Sequence, residues 1–164
     1  MEKTLYKKLN QLEHLPLSNK EIKNLYNIPI ITLKTLHNIF KNNEINQYVL
    51  FLPNKSSNVG HWVLISKINV NKWEYFDSYG NYPPYEVLNK IPKNLLLEYN
   101  TVQYQSKKSN INTCGHHVLF RAFTIKYMRF NLNEYYEFMK GLEDYDKSVI
   151  YFDRTFLNII KYIN

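Results

Sequence analysis

The stretch "GHWVLISKINVNKWEYFDSYG", residues 60–80, decides the fold. It holds two runs, "HWVLISKI" (61–68) and "KWEYFD" (72–77), both short and rich in β-branched and aromatic residues. Runs of that kind between turn residues read as strands, here the two arms of a hairpin. A loop centred on Asn69 sets His61 at the start of one strand opposite Asp77 at the end of the next. Directly opposed residues have Cβ atoms about 4.5–5.5 Å apart. A carboxylate at that distance can orient an imidazole and stabilise its charged form. The register makes a definite demand: the loop must have odd length, 68–70 or 67–71, and a two-residue turn would break it. Taken alone, His61 also fits a strand-edge histidine with one satisfied hydrogen bond.

Working outward, "QYVLFL" (47–52) reads as a further strand and "SYGNYPP" (78–84) as a loop. "YEVLNKIPKNLLLEY" (85–99) has a helical pattern broken at Pro92. "NTVQYQ" (100–105) reads as another strand, followed by the polar loop "SKKSNINT" (106–113). An apolar-periodic helix begins near Cys114 and runs to about Phe130, and "NEYYEFMKGL" (133–142) and "RTFLNIIKYI" (154–163) read as two more. The first 45 residues are helical with breaks. "SNKE" (18–21) matches a capping box, and Pro29 ends that helix or follows it closely. Helices at both ends and a mostly antiparallel, meandering sheet between them predict an α+β fold. There is no repeat, low-complexity tract or Gly/Ser linker. One domain is therefore expected over 1–164, with an N-terminal helical region (1–45), a core (46–130) and C-terminal helices (131–164).

At 164 residues, 45% hydrophobic and 21% charged, the chain can bury a useful core and is not of disordered composition. No apolar run approaches the ~18 residues of a membrane span, and "MEKTLYKKLNQLEHL" lacks the apolar stretch of a signal peptide. Neither a membrane association nor a leader is expected. A net charge of +7 favours acidic partners, nucleic acid among them, although the basic residues are spread and ordinary solubility explains them equally. A single cysteine excludes an internal disulfide, fits an intracellular location and excludes zinc sites built on several thiolates. No metal or cofactor is expected.

That cysteine lies in "INTCGHHVLFRAF" (111–123). Free cysteines are commonly passive core residues. Cys114, however, follows a polar loop and opens a helix, where unpaired N–H groups and partial positive charge stabilise a thiolate. Cysteines in such settings have pKa values lowered from ~8.5 towards ~3.5–7.5. Gly115 keeps the neighbouring backbone accessible. A nucleophilic thiolate needs a histidine partner. Of the five histidines, His14 and His37 fall in the N-terminal helical region and read as surface residues. His116 and His117 share the helix turn of Cys114 and point elsewhere, so they read as structural or surface residues. His61, with Asp77, is the remaining candidate. Three of the chain's four glycines, Gly60, Gly80 and Gly115, stand close to these candidates.

"GHW" at 60–62, "FDSYG" at 76–80, a glutamine before a polar loop and "CG" at 114–115 occur in that order. The arrangement resembles the adenovirus-type maturation cysteine proteases and their relatives in virophages, giant viruses and virus-like transposons, and more distantly the SUMO-specific proteases. The resemblance covers roughly residues 17–125. It implies Cys114 as nucleophile, His61 as general base and then acid, Asp77 as the residue orienting His61, and Trp62 as the tryptophan beside the histidine. It also implies a glutamine donor in the oxyanion hole. Gln105 is preferred, although it lies further from the cysteine than the family's usual spacing, and Gln103 is the alternative. Implied substrates are viral capsid and core precursor proteins, with DNA or a peptide as a family-type activator, in the virion and the cytoplasm of the host cell. Two other readings compete: a peptidase acting on ubiquitin-like modifiers, and a non-enzymatic basic nucleic-acid-binding protein.

Overall fold

A computed structural model describes residues 2–54 and 60–158. Five strands form one sheet in the order β1-β2-β3-β4-β5: Ile30–Thr32, Gln47–Leu52, His61–Asn69, Lys72–Phe76 and Leu96–Tyr99. The long central ladders, β2 with β3 and β3 with β4, are antiparallel. The short edge ladders, β1 with β2 and β4 with β5, are parallel. Helices α1 (Glu2–Glu13), α2 (Asn19–Leu25), α3 (Tyr85–Leu88), α4 (Cys114–Phe123), α5 (Leu132–Lys140) and α6 (Tyr145–Phe152) flank the sheet. The fold is α+β.

The period-2 alternation of the strands builds a core on each face. Val49, Trp62, Leu64 and Phe76 join Val118, Leu119 and Phe120 of α4 and Tyr135 and Met139 of α5 in one cluster. Leu50, Val63, Ile65, Trp73 and Tyr75 meet Leu36, Ile39 and Val87 in the other. Helix α4 is buried from Cys114 through Ala122, and its polar side chains His116, His117 and Arg121 each face a buried carboxylate. Its one charge, Arg121, is wholly buried and forks onto Glu74 of β4, with Nε and Nη2 donating at 2.9 and 2.6 Å. Tyr135 lies under the same guanidinium, 4.8 Å from the ring centroid. A buried charge survives only with such full pairing, and this one ties α4 to the sheet. Among the described residues no helix is long and apolar enough to cross a membrane.

Three sequence expectations need correction. Residues 96–99, read as helix, form β5. Only a few residues follow Pro92, too few to propagate a helix, and the free edge of β4 pairs them from Leu96 to Tyr99. Residues 100–105, read as strand, are irregular because the amides of Tyr104 and Gln105 both donate to the Ser78 carbonyl, at 2.8 and 2.9 Å. The last helix begins at Tyr145, where Asp144 caps it by accepting from the Lys147 amide, and widens into a π-helical turn at Asp153–Leu157. The end of the expected 154–163 helix lies outside the described residues, as does most of the turn-rich "NKSSNVG" (54–60). Ser18 caps α2 by accepting from the Glu21 amide. Strand β1, only three residues long, carries no period that the sequence could reveal.

Candidate active site

The hairpin is closed by the two-residue turn 70–71, the arrangement expected to separate His61 from Asp77. A β-bulge between Lys67 and Asn69 restores the relation: Asn69 pairs with Lys72, but Lys67 pairs with Trp73 and Leu64 with Phe76. The bulged residue supplies the odd count that the loop lacks. Continued one residue past β4, this register sets Asp77 across from Val63, one diagonal step from His61 on the same face. Diagonal neighbours remain within reach of long side chains. The His61 Nε2 to Asp77 Oδ1 distance is 2.8 Å, and the expected pair forms by a register two residues removed from the expected one.

Asp77 is buried and fixed on all sides. Its amide donates to Asn100 Oδ1 at 2.9 Å, its carbonyl accepts from Asn100 Nδ2 at 2.7 Å, and Oδ1 also accepts from the Tyr79 amide at 2.8 Å. Gly80 closes the turn at φ 72°, donating to the Asp77 carbonyl. A Cβ there would lie 2.7 Å from the Val102 backbone, so the position suits glycine on both counts.

Cys114, the first residue of α4, is a buried free thiol hydrogen-bonded with His61. Burial works against a charge on His61, but the hydrogen bonds and charges of Asp77 and Cys114 outweigh it and raise the imidazole to about 9. Gln105 is buried beside them. Its carbonyl oxygen accepts from Ser78 Oγ at 2.6 Å, and its Nε2 donates to the Tyr79 hydroxyl at 3.1 Å and, at longer range, to the Ile111 carbonyl at 3.4 Å. Gln103 is exposed and donates to the Gln105 carbonyl at 2.9 Å. His61, Cys114, Gln105, Tyr79 and Trp62 line one cleft of about 420 Å³. Of the two glutamines, only Gln105 is among its walls.

Trp62 and Gly115 have packing reasons for their identity. Trp62 is buried, and its indole N–H donates to the Leu17 carbonyl at 3.0 Å. A Cβ on Gly115 would lie 3.0 Å from that of Leu17. The segment after α1 thus crosses the first turn of α4, and Gly115 provides close approach rather than open backbone. His116 and His117 do not reach the cleft. Both are fully buried, His116 against Asp153 at 3.3 Å and His117 against Asp146 at 2.9 Å. Burial lowers the His116 imidazole to about 3 and raises the Asp153 carboxyl well above its usual value. These two therefore pair as neutral groups. His14 and His37 are exposed, as expected. Among the described residues no three His, Cys, Asp or Glu side chains are grouped to hold a metal ion.

Two members of the site escaped sequence reasoning. Tyr79 stacks on His61, with centroids 5.0 Å apart and planes at 24°, and it lies inside the "FDSYG" stretch, in the turn that follows Asp77. Asp146, from α6, accepts from Thr113 Oγ1 at 2.5 Å, from the Ser106 amide at 3.2 Å and faces His117. Thirty or more residues separate it from the site in sequence, and no local pattern marks it.

Comparison with known proteins finds no matching family model. The chain is 29% identical over 106 residues to an uncharacterized protein, V9, of Sputnik virophage, covering 53% of this chain and 57% of that protein. The match thus spans little more than half of either chain. Among solved structures, the central domain of an uncharacterized Legionella pneumophila protein superposes with a TM-score of 0.45 at 16% identity, over 88% of this chain and 97% of that one. The ASFV pS273R protease does so with a TM-score of 0.39 at 17% identity, over 69% of this chain and 57% of that one.

Proposed function

We propose that this protein is a cysteine endopeptidase of viral type, with Cys114 as nucleophile, His61 as acid and base, Asp77 orienting His61 and Gln105 organising the oxyanion hole. The observation that carries the reading is the chain of contacts from Asp77 through His61 to Cys114 at the first turn of a buried helix. A charged imidazole facing a thiol stabilises the thiolate, the form that attacks. The thiolate adds to a peptide carbonyl carbon, and the carbonyl electron pair moves to oxygen. Collapse expels the amine, which takes its proton from His61. Water then attacks the thioester, gives a proton to His61 and restores the thiolate.

The substrate class rests on the family resemblance and the similarity to a virophage protein: precursors of capsid or core proteins, cut as the particle matures. Incubating the protein with candidate capsid proteins and reading cut sites by mass spectrometry tests both parts. Cys114→Ala should abolish cleavage, a loss on the order of 10⁶-fold if it behaves as other covalent nucleophiles do, while the variant melts as a folded protein. Persistent cleavage by a folded Cys114→Ala protein sinks the assignment. Clean cutting of a ubiquitin-like precursor, with capsid proteins left intact, would move the substrate class elsewhere.

A further inference from the structure

We infer that the Tyr79 hydroxyl is a catalytic group of this site: it donates the side-chain hydrogen bond to the oxyanion, with Gln105 holding it in place. The inference rests on the peptidase reading above and concerns which proton the oxyanion meets. An amide nitrogen has two hydrogens. Those of Gln105 point to the Tyr79 hydroxyl at 3.1 Å and to the Ile111 carbonyl at 3.4 Å, and its carbonyl oxygen is held by Ser78 Oγ at 2.6 Å. The Gln105 amide is therefore committed at both ends within the protein. The Tyr79 hydroxyl accepts one of those bonds and donates to no described residue. Its own hydrogen is committed to no described residue and lies in the cleft that also contains Cys114 and His61.

Several further contacts hold the phenol there. Its ring stacks on His61 at 5.0 Å, its backbone amide donates to Asp77 Oδ1 at 2.8 Å, and Gly80 fixes the turn behind it. Burial, then the nearby negative charge of Cys114, Asp77 and Asp146, raises the phenol above its ordinary value, so it stays protonated and able to donate. Accepting a bond from Gln105 polarises that O–H further. In the step concerned, the Cys114 sulfur bonds to an acyl carbon and the carbonyl electron pair moves to oxygen. The oxyanion accepts from Tyr79 Oη–H, and its return expels the leaving group.

Two probes of the full chain isolate this bond. Acylation by 4-nitrophenyl acetate passes through an oxyanion and releases 4-nitrophenolate. Alkylation by iodoacetamide is a displacement at carbon and has no oxyanion. Tyr79→Phe keeps the ring on His61 and removes only the hydroxyl. It should slow acylation by about 10²–10³-fold, the usual effect of losing one oxyanion donor, with alkylation of Cys114 unchanged. Unchanged acylation overturns the inference, and so does equal slowing of both probes, which would make Tyr79 a positioning residue acting through His61. If wild-type Cys114 is alkylated no faster than in His61→Ala, the nucleophile reading fails and takes this inference with it.

Discussion

His61 keeps its proton to about pH 9 because Asp77 and Cys114 outweigh its burial. If it protonates the departing amine, activity should fall as pH rises through about 9. Asp77→Asn removes one of the two groups holding that proton. The alkaline limb of the pH–rate profile should then move down towards the ordinary imidazole value, with a rate loss of up to about 10⁴-fold at its optimum. An unmoved limb would assign it to a group other than His61. The glutamines differ as sharply. Gln105→Ala frees the Ser78 and Tyr79 hydroxyls and should cost about 10²–10³-fold in acylation, whereas exposed Gln103→Ala should leave it near wild type. The reverse result would exchange them. His61, Asp77 and Cys114 were legible because strand alternation, a helix start and a lone cysteine are local signals. Tyr79 lies in the turn after β4, where strand parity no longer fixes a side chain's direction, so its place at the site was not legible. Nor was that of Asp146, since only the folded chain brings α6 to the loop after Gln105.

At the scale of elements, the hairpin shows what a sequence can and cannot specify. Its strands, and the face shared by His61 and Asp77, follow from alternation. The bulge does not, because a single unpaired residue changes the register without changing the pattern. Parallel edge strands are harder still: β5 reads as helix by propensity and becomes strand by pairing, a tertiary override. Helix α6 has a corresponding role at the site. The Asp146 carboxylate joins Thr113, just before Cys114, to the Ser106 amide, just after Gln105, and to His117 within α4. Burial favours its neutral form, but His117, Thr113 and Ser106 outweigh that and hold it below the usual carboxylate value. One side chain thus sets the spacing between the start of α4 and the loop after Gln105. Asp146→Ala leaves buried polar groups unpaired, at about 1–3 kcal/mol for such a loss. It should lower the melting temperature and slow Cys114 acylation more than alkylation. Equal slowing of both would reduce Asp146 to a purely structural support.

The whole molecule carries an uneven proton ledger that predicts how its stability depends on pH. In the unfolded chain an imidazole titrates near 6.5 and an aspartate near 3.9. Folded His61 holds its proton to about 9, so its contribution is complete below 6.5 and is lost as pH rises towards 9. The buried His116–Asp153 pair behaves differently from either member alone. Between about 4 and 6.5 it carries one proton in both states, on the imidazole when unfolded and on the carboxyl when folded, so it adds no slope there. Above 6.5 the unfolded pair has lost that proton, whereas burial, which keeps His116 neutral and raises Asp153, favours its retention in the folded pair. Both sites therefore destabilise the fold as pH rises above 6.5. Asp146, held low, acts at the other end, its contribution lost as pH falls below the ordinary aspartate value. Stability should be greatest between about pH 4 and 6.5 and decline from 6.5 to 9. Each retained proton sets an upper bound of about 1.4 kcal/mol per pH unit on that decline, less for His61, which is partly open to solvent. Urea unfolding from pH 4 to 9 measures this directly. Asp153→Asn keeps a neutral partner for His116 and should remove one share of the alkaline decline, and His61→Ala the other. A wild-type stability that is flat or rising from pH 6.5 to 9 would mean that neither proton is retained in the fold.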